Sequence, residues 1–257
     1  MLTDRFTALR AGGRRALVCY ATAGHPDPDS SVALWQGLEG AGADVLEVGV
    51  PFSDPMADGP VIQASSQTAL AHGVSLDRAL ELVARAKLGI PVVLFSYLNP
   101  LIAAGHDVLR RAAAAGVHGV LVTDLPVGSD AEREAWLGEG PLDFVRLVAP
   151  TTPVDRMAEI ARHGRGFVYL ISRLGVTGVS DQLPTDLPQT IGRLRSVCTL
   201  PICVGFGVSR PEQARSLGAH ADGIVVGSAI VRAANESVDA AVRLAAGLRA
   251  ALDERPA

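Results

Sequence analysis

The stretch DVLEVGVPFSDPMADGP, residues 44–60, begins like a buried strand and continues into an acidic loop. Glu47 is the one charged side chain in the apolar run VLEVGV, and Asp54 and Asp58 follow it closely. Because side chains alternate between the two faces of a strand, Glu47 lies opposite to Leu46 and Val48. If those two residues pack against helices, Glu47 points to the other side of the sheet.

Seven further apolar runs have the length and composition of strands. With the run above, the predicted strands span residues 16–22, 44–50, 91–97, 119–124, 143–149, 167–172, 201–206 and 223–228. The longer segments between them carry Ala, Leu and Arg at helical spacing, and several end in Gly, as helices often do. Residues 132–139 form the weakest helix candidate. This alternation predicts a parallel sheet with right-handed crossovers.

Eight strand and helix units in 257 residues are typical of a closed (β/α)₈ barrel, the TIM barrel, forming a single domain over residues 1–257. An open doubly wound sheet is the alternative. The barrel is favoured because no GxGxxG follows the first strand and no polar linker divides the chain. Leu2, Phe6 and Leu9 lie at helical spacing, which predicts an extra N-terminal helix over residues 2–11 that covers the barrel bottom. Two helical segments follow the second strand.

Composition limits the classes of partner. The chain has 23 Lys and Arg against 27 Asp and Glu, so no broad basic surface for nucleic acid is expected. Cys19, Cys198 and Cys203 lack CxxC spacing, which argues against a disulfide framework or a cysteine zinc site. No run reaches the roughly 18 apolar residues that a membrane helix needs, and no signal peptide is evident. We expect a cytoplasmic protein without nucleic-acid or membrane partners.

The acids of the opening stretch are the first site candidates. The carboxyl ends of barrel strands form the active-site mouth, and Glu47 would point into it. Alternatively, Glu47 is a structural acid paired with Arg146 of the fifth strand, since buried carboxylates are rare unless paired. Asp58 is equally well interpreted as a catalytic acid or as the N-cap of the helix that begins near residue 60. Asp54 is interpreted first as setting an Asx turn.

Other catalytic groups are scarce. Lys87 is the only lysine, and it belongs to a predicted helix, so no strand end offers a Schiff-base amine. The six histidines are scattered without HxxxH or HExxH spacing, and no metal site is predicted. We therefore expect chemistry that depends on carboxylates in general acid and base steps.

Glycine-rich loops follow the last two strands, GFGVS at residues 205–209 and GS at residues 227–228. Barrels often bind phosphate at this place through backbone N–H groups and the N-terminus of a short helix. The alternative is that these glycines only make tight turns. After the sixth strand, SRLGVTGVS at residues 172–180 is long enough to be a lid, or it is a passive surface loop.

Several motifs together resemble the tryptophan synthase α-subunit family: LEVGVPFSDPMADGPVIQ, CYATAGHP, FSYLNP, YLISRLGVTG and VGFGVS. The likeness runs from the first strand to the last. It implies cofactor-independent retro-aldol cleavage of indole-3-glycerol phosphate to indole and glyceraldehyde 3-phosphate in tryptophan biosynthesis. It also implies that Glu47 and Asp58 are the two catalytic acids. Their surroundings agree, because Glu47 among apolar strands should retain its proton, while Asp58 in a polar loop should stay ionised.

The resemblance extends to substrate-binding residues. Those around the indole ring would be Tyr20, Tyr97, Leu98, Asp124 and Tyr169. The lid residue that closes toward the loop aspartate would be Thr177. The phosphate site would comprise Gly178, Phe206, Gly207, Gly227 and Ser228.

The family also implies a partner, a β subunit that joins the indole to serine with pyridoxal phosphate, in an expected α₂β₂ assembly. Nothing in this chain is expected to bind that cofactor. Docking is expected at Phe52 and Asp54. One departure is His25, in a loop that reads GHP where the family usually reads GDP. That position serves loop structure or partner contacts and not the chemistry.

Two rival functions remain open from the sequence. The first is a phosphate-handling barrel enzyme with a substrate other than an indole, although such an enzyme has no need of the aromatic lining. The second is a barrel that has lost catalysis and acts only as a binding partner, although Glu47 and Asp58 are retained. An assay with indole-3-glycerol phosphate separates these functions.

Overall fold

Eight parallel strands close into a barrel in chain order in the computed structural model, which describes residues 2–171, 186–205 and 207–254. The strands are β1 (Ala16–Thr22), β2 (Val45–Gly49), β3 (Val92–Ser96), β4 (Gly119–Val122), β5 (Asp143–Val148), β6 (Val168–Ile171), β7 (Ile202–Gly205) and β8 (Gly223–Val226). Ring closure comes from pairing of β1 with β8, which places Cys19 beside Val226. The predicted closed barrel is confirmed, and the open doubly wound sheet is excluded.

Helices surround the barrel and connect its strands. They are α1 (Leu2–Ala11), α2 (Pro28–Gly40), α3 (Pro60–Ala71), α4 (Leu76–Ala86), α5 (Leu98–Ala103), α6 (Val108–Ala114), α7 (Ala131–Gly138), α8 (Val154–Arg162), α9 (Leu187–Arg195), α10 (Pro211–Gly218), α11 (Ser228–Glu236) and α12 (Val238–Asp253). The weakest candidate forms α7, whose first turn is capped by Asp130. Two helices, α3 and α4, follow β2 as expected. None of the helices in the described ranges is long and apolar enough to cross a membrane.

The N-terminal helix closes the bottom of the barrel, as its apolar spacing predicts. Leu2, Phe6 and Leu9 are buried in one cluster with inward-facing strand residues such as Val18. The rings of Phe6 and Phe167 lie 5.4 Å apart, between centroids. Burial of these large side chains excludes water from the end of the barrel that carries no chemistry.

Strand β2 separates its two faces as the alternation predicts. Leu46 and Val48 belong to the large cluster between the barrel and its helices, together with Trp35 of α2. Val45 points inward and packs in the bottom layer. Glu47 is the next inward position and is 1% exposed, so the interior changes from apolar to acidic within one strand.

A buried charge network joins the bottom of the barrel to both terminal helices. Asp44, which precedes β2, is fully buried. Its carboxylate accepts from Arg5 of α1 at 2.7 Å, from Arg249 of α12 at 2.9 Å and from the backbone N–H of Leu17 at 2.9 Å. Because every contact is a charge-assisted hydrogen bond, Asp44 stays buried with its charge compensated.

Candidate active site

Glu47 is a buried carboxyl at the centre of β2. It stands beside Tyr20 of β1 and Val93 of β3 in the sheet register. Neither carboxylate oxygen has a hydrogen-bond partner within the described part of the chain. Burial alone raises the pKa of Glu47 to about 8, because the charged form loses its hydration without gaining a counter-ion. The side chain is therefore mostly protonated at neutral pH.

Arg146 does not neutralise Glu47, so that alternative is wrong. Its guanidinium lies on the outside of β5, 3.0 Å from Glu134 of α7 and over the ring of Phe144. There it lines an outer cavity of about 480 Å³ whose charged groups include both members of this ion pair. The inward positions of β5 are filled by Val145 and Leu147, which are apolar.

Asp58 lies in the loop between β2 and α3 and is held by Tyr97. The tyrosine hydroxyl donates to Asp58 Oδ2 at 3.0 Å and accepts from the N–H of Ala57 at 2.9 Å. The N-cap of α3 is Gly59, with no side-chain cap, so the interpretation of Asp58 as an N-cap is wrong. Burial raises the pKa of Asp58 to about 6, and the hydrogen bond from Tyr97 opposes that shift. Asp58 is mostly ionised at neutral pH.

Both acids line one cavity at the carboxyl ends of the strands, with a volume of about 250 Å³. Its walls are Tyr20, Glu47, Ala57, Asp58, Gly59, Ile62, Phe95, Thr123, Leu147, Tyr169, Ile171, Gly205, Gly207, Val225, Gly227 and Ser228. Within the described ranges, no group of three or more His, Cys, Asp or Glu residues could hold a metal ion. The cavity thus combines an apolar, aromatic interior with a neutral acid and an ionised acid.

Two tyrosines form walls of the cavity because a neighbouring glycine makes room for each. A Cβ atom on Gly49 would lie 2.1 Å from the Tyr20 hydroxyl, and one on Gly205 would lie 2.2 Å from the Tyr169 hydroxyl. These approaches are far inside van der Waals contact. Gly205 therefore makes room for the ring of Tyr169, and this role is separate from the predicted binding of an anion by its loop.

Buried hydroxyls form a hydrogen-bonded chain with Tyr20 that is not predictable from the sequence. The Tyr20 hydroxyl lies 3.3 Å from Thr22 Oγ1, which lies 2.6 Å from Ser65 Oγ. Ser65 in turn donates to the carbonyl of Ile62 at 2.8 Å. The chain ties α3 to β1 and fixes one ring of the cavity wall. Strand alternation signals that Thr22 points inward, but nothing local signals its partner on α3.

The predicted phosphate residues in the described ranges meet at one end of the cavity. Gly207, Gly227 and Ser228 all line it, and α11 begins at Ser228 with Gly227 as its N-cap. Gly207 has a φ of 65°, a left-handed conformation that glycine adopts without strain. Free N–H groups at a helix start suit an anion.

Other predicted substrate residues lie behind the cavity or outside the described ranges. Leu98 packs partly buried against the outer core, and its N–H donates to the carboxylate of the exposed Asp124 at 2.8 Å. Asp124 thereby caps α5, a role of its own. Thr177, Gly178 and Phe206 lie outside the described residues, and so does the segment 172–180.

The predicted docking residues, Phe52 and Asp54, lie in the loop after β2, and His25 lies in the loop after β1. The ring of Phe52 stacks on Tyr97 with centroids 5.1 Å apart. Asp54 is exposed, and its carboxylate accepts from the hydroxyl of Ser53, while its carbonyl and not its side chain accepts from the N–H of residue 56. The prediction that Asp54 sets an Asx turn is therefore wrong. His25 is buried, with Nε2 at 2.8 Å from Asn235 Oδ1 at the end of α11, which fits a role in loop structure.

Comparison with known proteins identifies the barrel. Residues 6–254 match the family described as "Tryptophan synthase alpha chain". The chain belongs to this family. A tryptophan synthase alpha chain of Laribacter hongkongensis is 47% identical, over 98% of this chain and 98% of the relative. That of Desulfatibacillum aliphaticivorans is 46% identical, over 93% of this chain and 91% of the relative.

Solved structures agree with the assignment to the tryptophan synthase alpha chain family. A structure of Mycobacterium tuberculosis tryptophan synthase matches with a TM-score of 0.91 at 37% identity, covering 99% of this chain and 98% of that chain. Tryptophan synthase subunit alpha from Legionella pneumophila matches with a TM-score of 0.89 at 34% identity, covering 98% of each chain. The chain is a carbon–carbon lyase of tryptophan biosynthesis that cleaves indole-3-glycerol phosphate to indole and glyceraldehyde 3-phosphate.

Proposed function

We propose that Glu47 is the general acid and base of this cleavage. Indole is a poor carbanion leaving group until its C3 is protonated, which turns the ring into an electron sink. Glu47 gives its proton to C3, and the resulting carboxylate accepts the proton of the side-chain hydroxyl as the C–C bond breaks. The hydroxyl carbon leaves as the aldehyde of glyceraldehyde 3-phosphate, and Glu47 recovers its proton. The observation that carries this proposal is the buried carboxyl of Glu47, which lines the shared cavity and has no hydrogen-bond partner among the described residues.

Asp58 complements Glu47 by remaining charged. Its carboxylate accepts the indole N–H and stabilises the positive charge that appears on the ring when C3 is protonated. The hydroxyl of Tyr97 donates to the same carboxylate, which favours the ionised form. The two acids therefore occupy opposite protonation states at one pH, as acid and base catalysis in one site requires.

The remaining cavity residues bind and orient the substrate. The start of α11 and the loops at Gly207 and Gly227 would hold the phosphate, while Tyr20 and Tyr169 would enclose the indole ring. The same proposal assigns contacts with the substrate to the remaining predicted residues, Tyr97, Leu98, Asp124, Thr177, Gly178, Phe206 and Ser228. No metal or organic cofactor is needed for the proton transfers described.

The test is indole release from indole-3-glycerol phosphate by purified variants, with and without a β subunit. Glu47→Gln and Asp58→Asn should each lose a factor of about 10² or more, the lower end of what one acid or base group contributes. Glu132→Gln is the matched control, because Glu132 is exposed on α7. Full activity of Glu47→Gln with the fold intact would reject Glu47 as the acid.

We infer a β subunit as the partner, docked at the loop that carries Asp58. Asp54 and Met56 of this loop are exposed, and Met56 is 85% exposed, which is unusual for a large apolar side chain. Asp54→Ala should weaken complex formation and the mutual activation of the subunits. Unchanged affinity and activation would move the interface elsewhere. An α₂β₂ assembly is expected, and the mass of the purified complex tests it.

We also infer that residues 1–257 form one domain and that the protein is cytoplasmic. The packing of α12 against α2, α10 and α11 and the Asp44 network join the chain ends to one barrel. Three reduced, buried cysteines suit a reducing compartment. A single cooperative unfolding transition and recovery in the cytosolic fraction are the expected results.

A further inference from the structure

Asp58 lies in the loop before α3, and the first turn of this helix has no side-chain N-cap. Gly59 is the N-cap of the helix and offers no side chain to the first helical N–H groups. The side chain of Gln63, one turn into the helix, points back to the loop. Its Nε2 donates to the carbonyl of Asp58 at 2.9 Å and to the carbonyl of Pro55 at 3.3 Å. The side chain thus clamps the two ends of the turn that contains Asp58.

This clamp and Tyr97 act on different atoms of the loop. Tyr97 holds the Asp58 carboxylate and the N–H of Ala57, whereas Gln63 holds backbone carbonyls. The carbonyl of Pro55 also accepts from the N–H of Asp58 at 3.0 Å, so Gln63 reinforces the turn at its closing bond. Without Gln63 the carboxylate would still have Tyr97 as a partner, but the carbonyls of Pro55 and Asp58 would lose the hydrogen bonds that join the turn to the side chain on α3.

The helix that carries Gln63 is itself fixed to the barrel. Ser65, two residues on, lies 2.6 Å from Thr22 of β1, and both side chains are buried. Gln63 therefore links the loop to a helix that is itself hydrogen-bonded to the barrel wall.

We propose that Gln63 is a positioning residue of the cleavage reaction, holding the backbone of Asp58 so that its carboxylate faces the indole nitrogen. The inference rests on the proposed role of Asp58. Gln63 touches no reacting atom; it acts through the loop geometry. Because small displacements of a catalytic group are costly, loss of the clamp should lower the rate of the chemical step and not the affinity for the substrate.

The experiment compares Gln63→Met with Gln67→Met, measuring kcat and KM for indole release. Both changes remove an amide from α3 and keep side-chain length, but Gln67 lies one turn further on and is exposed. Gln63→Met should lower kcat by about tenfold with KM changed by less than about twofold. Gln67→Met should change neither. Equal kcat values for the two variants would overturn the proposal.

A double-mutant cycle separates this inference from the proposed function. If Gln63 acts through Asp58, Gln63→Met should cost little further activity in an Asp58→Asn background. An undiminished tenfold loss in that background would overturn the positioning role. Full activity of Asp58→Asn alone would instead reject the role of Asp58. If Gln63→Met folds poorly, Gln63→Glu keeps the shape of the side chain but replaces the donor with an acceptor, and it should show the same loss of kcat.

Discussion

Asp44 and Glu47 lie three positions apart in the sequence, Asp44 just before β2 and Glu47 at the centre of that strand, and both are buried. Asp44 faces the closed bottom of the barrel, where two arginines and a backbone N–H surround its carboxylate. Glu47 faces the open mouth, where both of its oxygens lack hydrogen-bond partners within the described residues. The residue just before β2 is therefore a compensated acid, and the central residue of β2 is an uncompensated one.

The difference shows what distinguishes a structural carboxylate from a reactive one. A buried charge is stable when ion pairs and hydrogen bonds replace its hydration, and the group then has no proton to transfer. A buried carboxyl without partners keeps its proton to an unusually high pH, so it can donate that proton near neutrality. Burial alone does not distinguish these two acids; their hydrogen-bonding partners do.

The largest expected effect comes from breaking the compensated acid. Asp44→Asn leaves Arg249 buried beside a neutral amide, which should lower the free energy of unfolding by about 3–5 kcal/mol. Chemical denaturation measures the change. The folded fraction should keep its activity, because Asp44 lies at the bottom of the barrel. Asp155→Asn, on the exposed start of α8, is the control and should change stability by less than about 0.5 kcal/mol. A loss as small as the control's would mean that the network does not stabilise the fold.

Glu47→Gln should raise the stability of the fold at high pH, whereas Asp44→Asn lowers it. The pKa of Glu47 is about 8 in the folded chain and 4.5 ordinarily, so between these values the folded state binds the extra proton. Stability of the wild type should therefore fall as pH rises through this window, by at most about 1.4 kcal/mol per pH unit, and level off above it. The glutamine variant lacks this loss and should be the more stable protein at high pH. Denaturation curves near pH 5 and near pH 8 test this, and a constant difference would contradict it.

The rate of cleavage should have a bell-shaped pH dependence. Activity requires Asp58 ionised and Glu47 protonated, whose pKa values are about 6 and about 8. The rate should rise through the lower value and fall through the upper one. Residual activity of Glu47→Gln should lack the alkaline fall. A fall that persists unchanged in this variant would assign the upper limb to another group.

The smallest effect is expected from Tyr97→Phe. The variant keeps the ring but removes the hydrogen bond to Asp58 Oδ2, which favours the ionised form. The pKa of Asp58 and the acid limb of the rate profile should move upward, with a loss of about fivefold in rate near neutrality, equivalent to one hydrogen bond. Tyr169→Phe removes a tyrosine hydroxyl from the cavity wall and should leave the acid limb in place. Identical acid limbs in both variants would exclude the proposed role of Tyr97.

Much of the fold could be predicted from the sequence because periodicity records it directly. The eight apolar runs and the α1 stripe correspond to the observed elements within a few residues. Helix α5 was not predicted, since its six residues include Pro100 and its first N–H is capped from a distant loop by Asp124. The orientation of Arg146 was also ambiguous, because both faces of β5 are largely apolar and alternation could not tell inside from outside.

The candidate site was predictable where a residue's own strand determines its environment. Glu47 is such a case, since an acid in an apolar run has no local partner. Asp58 was harder, because its partner Tyr97 lies 39 residues away and local sequence suggested an N-cap instead. The roles of Gln63 and Ser65 could not be predicted from the sequence, because a polar residue near a helix start is usually solvated. Only the structure shows their hydrogen bonds to the loop and to β1.

The central claim is that Glu47 holds its proton at neutral pH because it is buried and no residue in the described part of the chain compensates its charge. Carbon-13 NMR of chain labelled at the glutamate side-chain carboxyls, with Glu47→Gln to assign the resonance, measures this directly. We predict that the Glu47 resonance titrates with a midpoint near 8. A midpoint at the ordinary value of 4.5 would show an ionised Glu47 at neutral pH and would contradict the account.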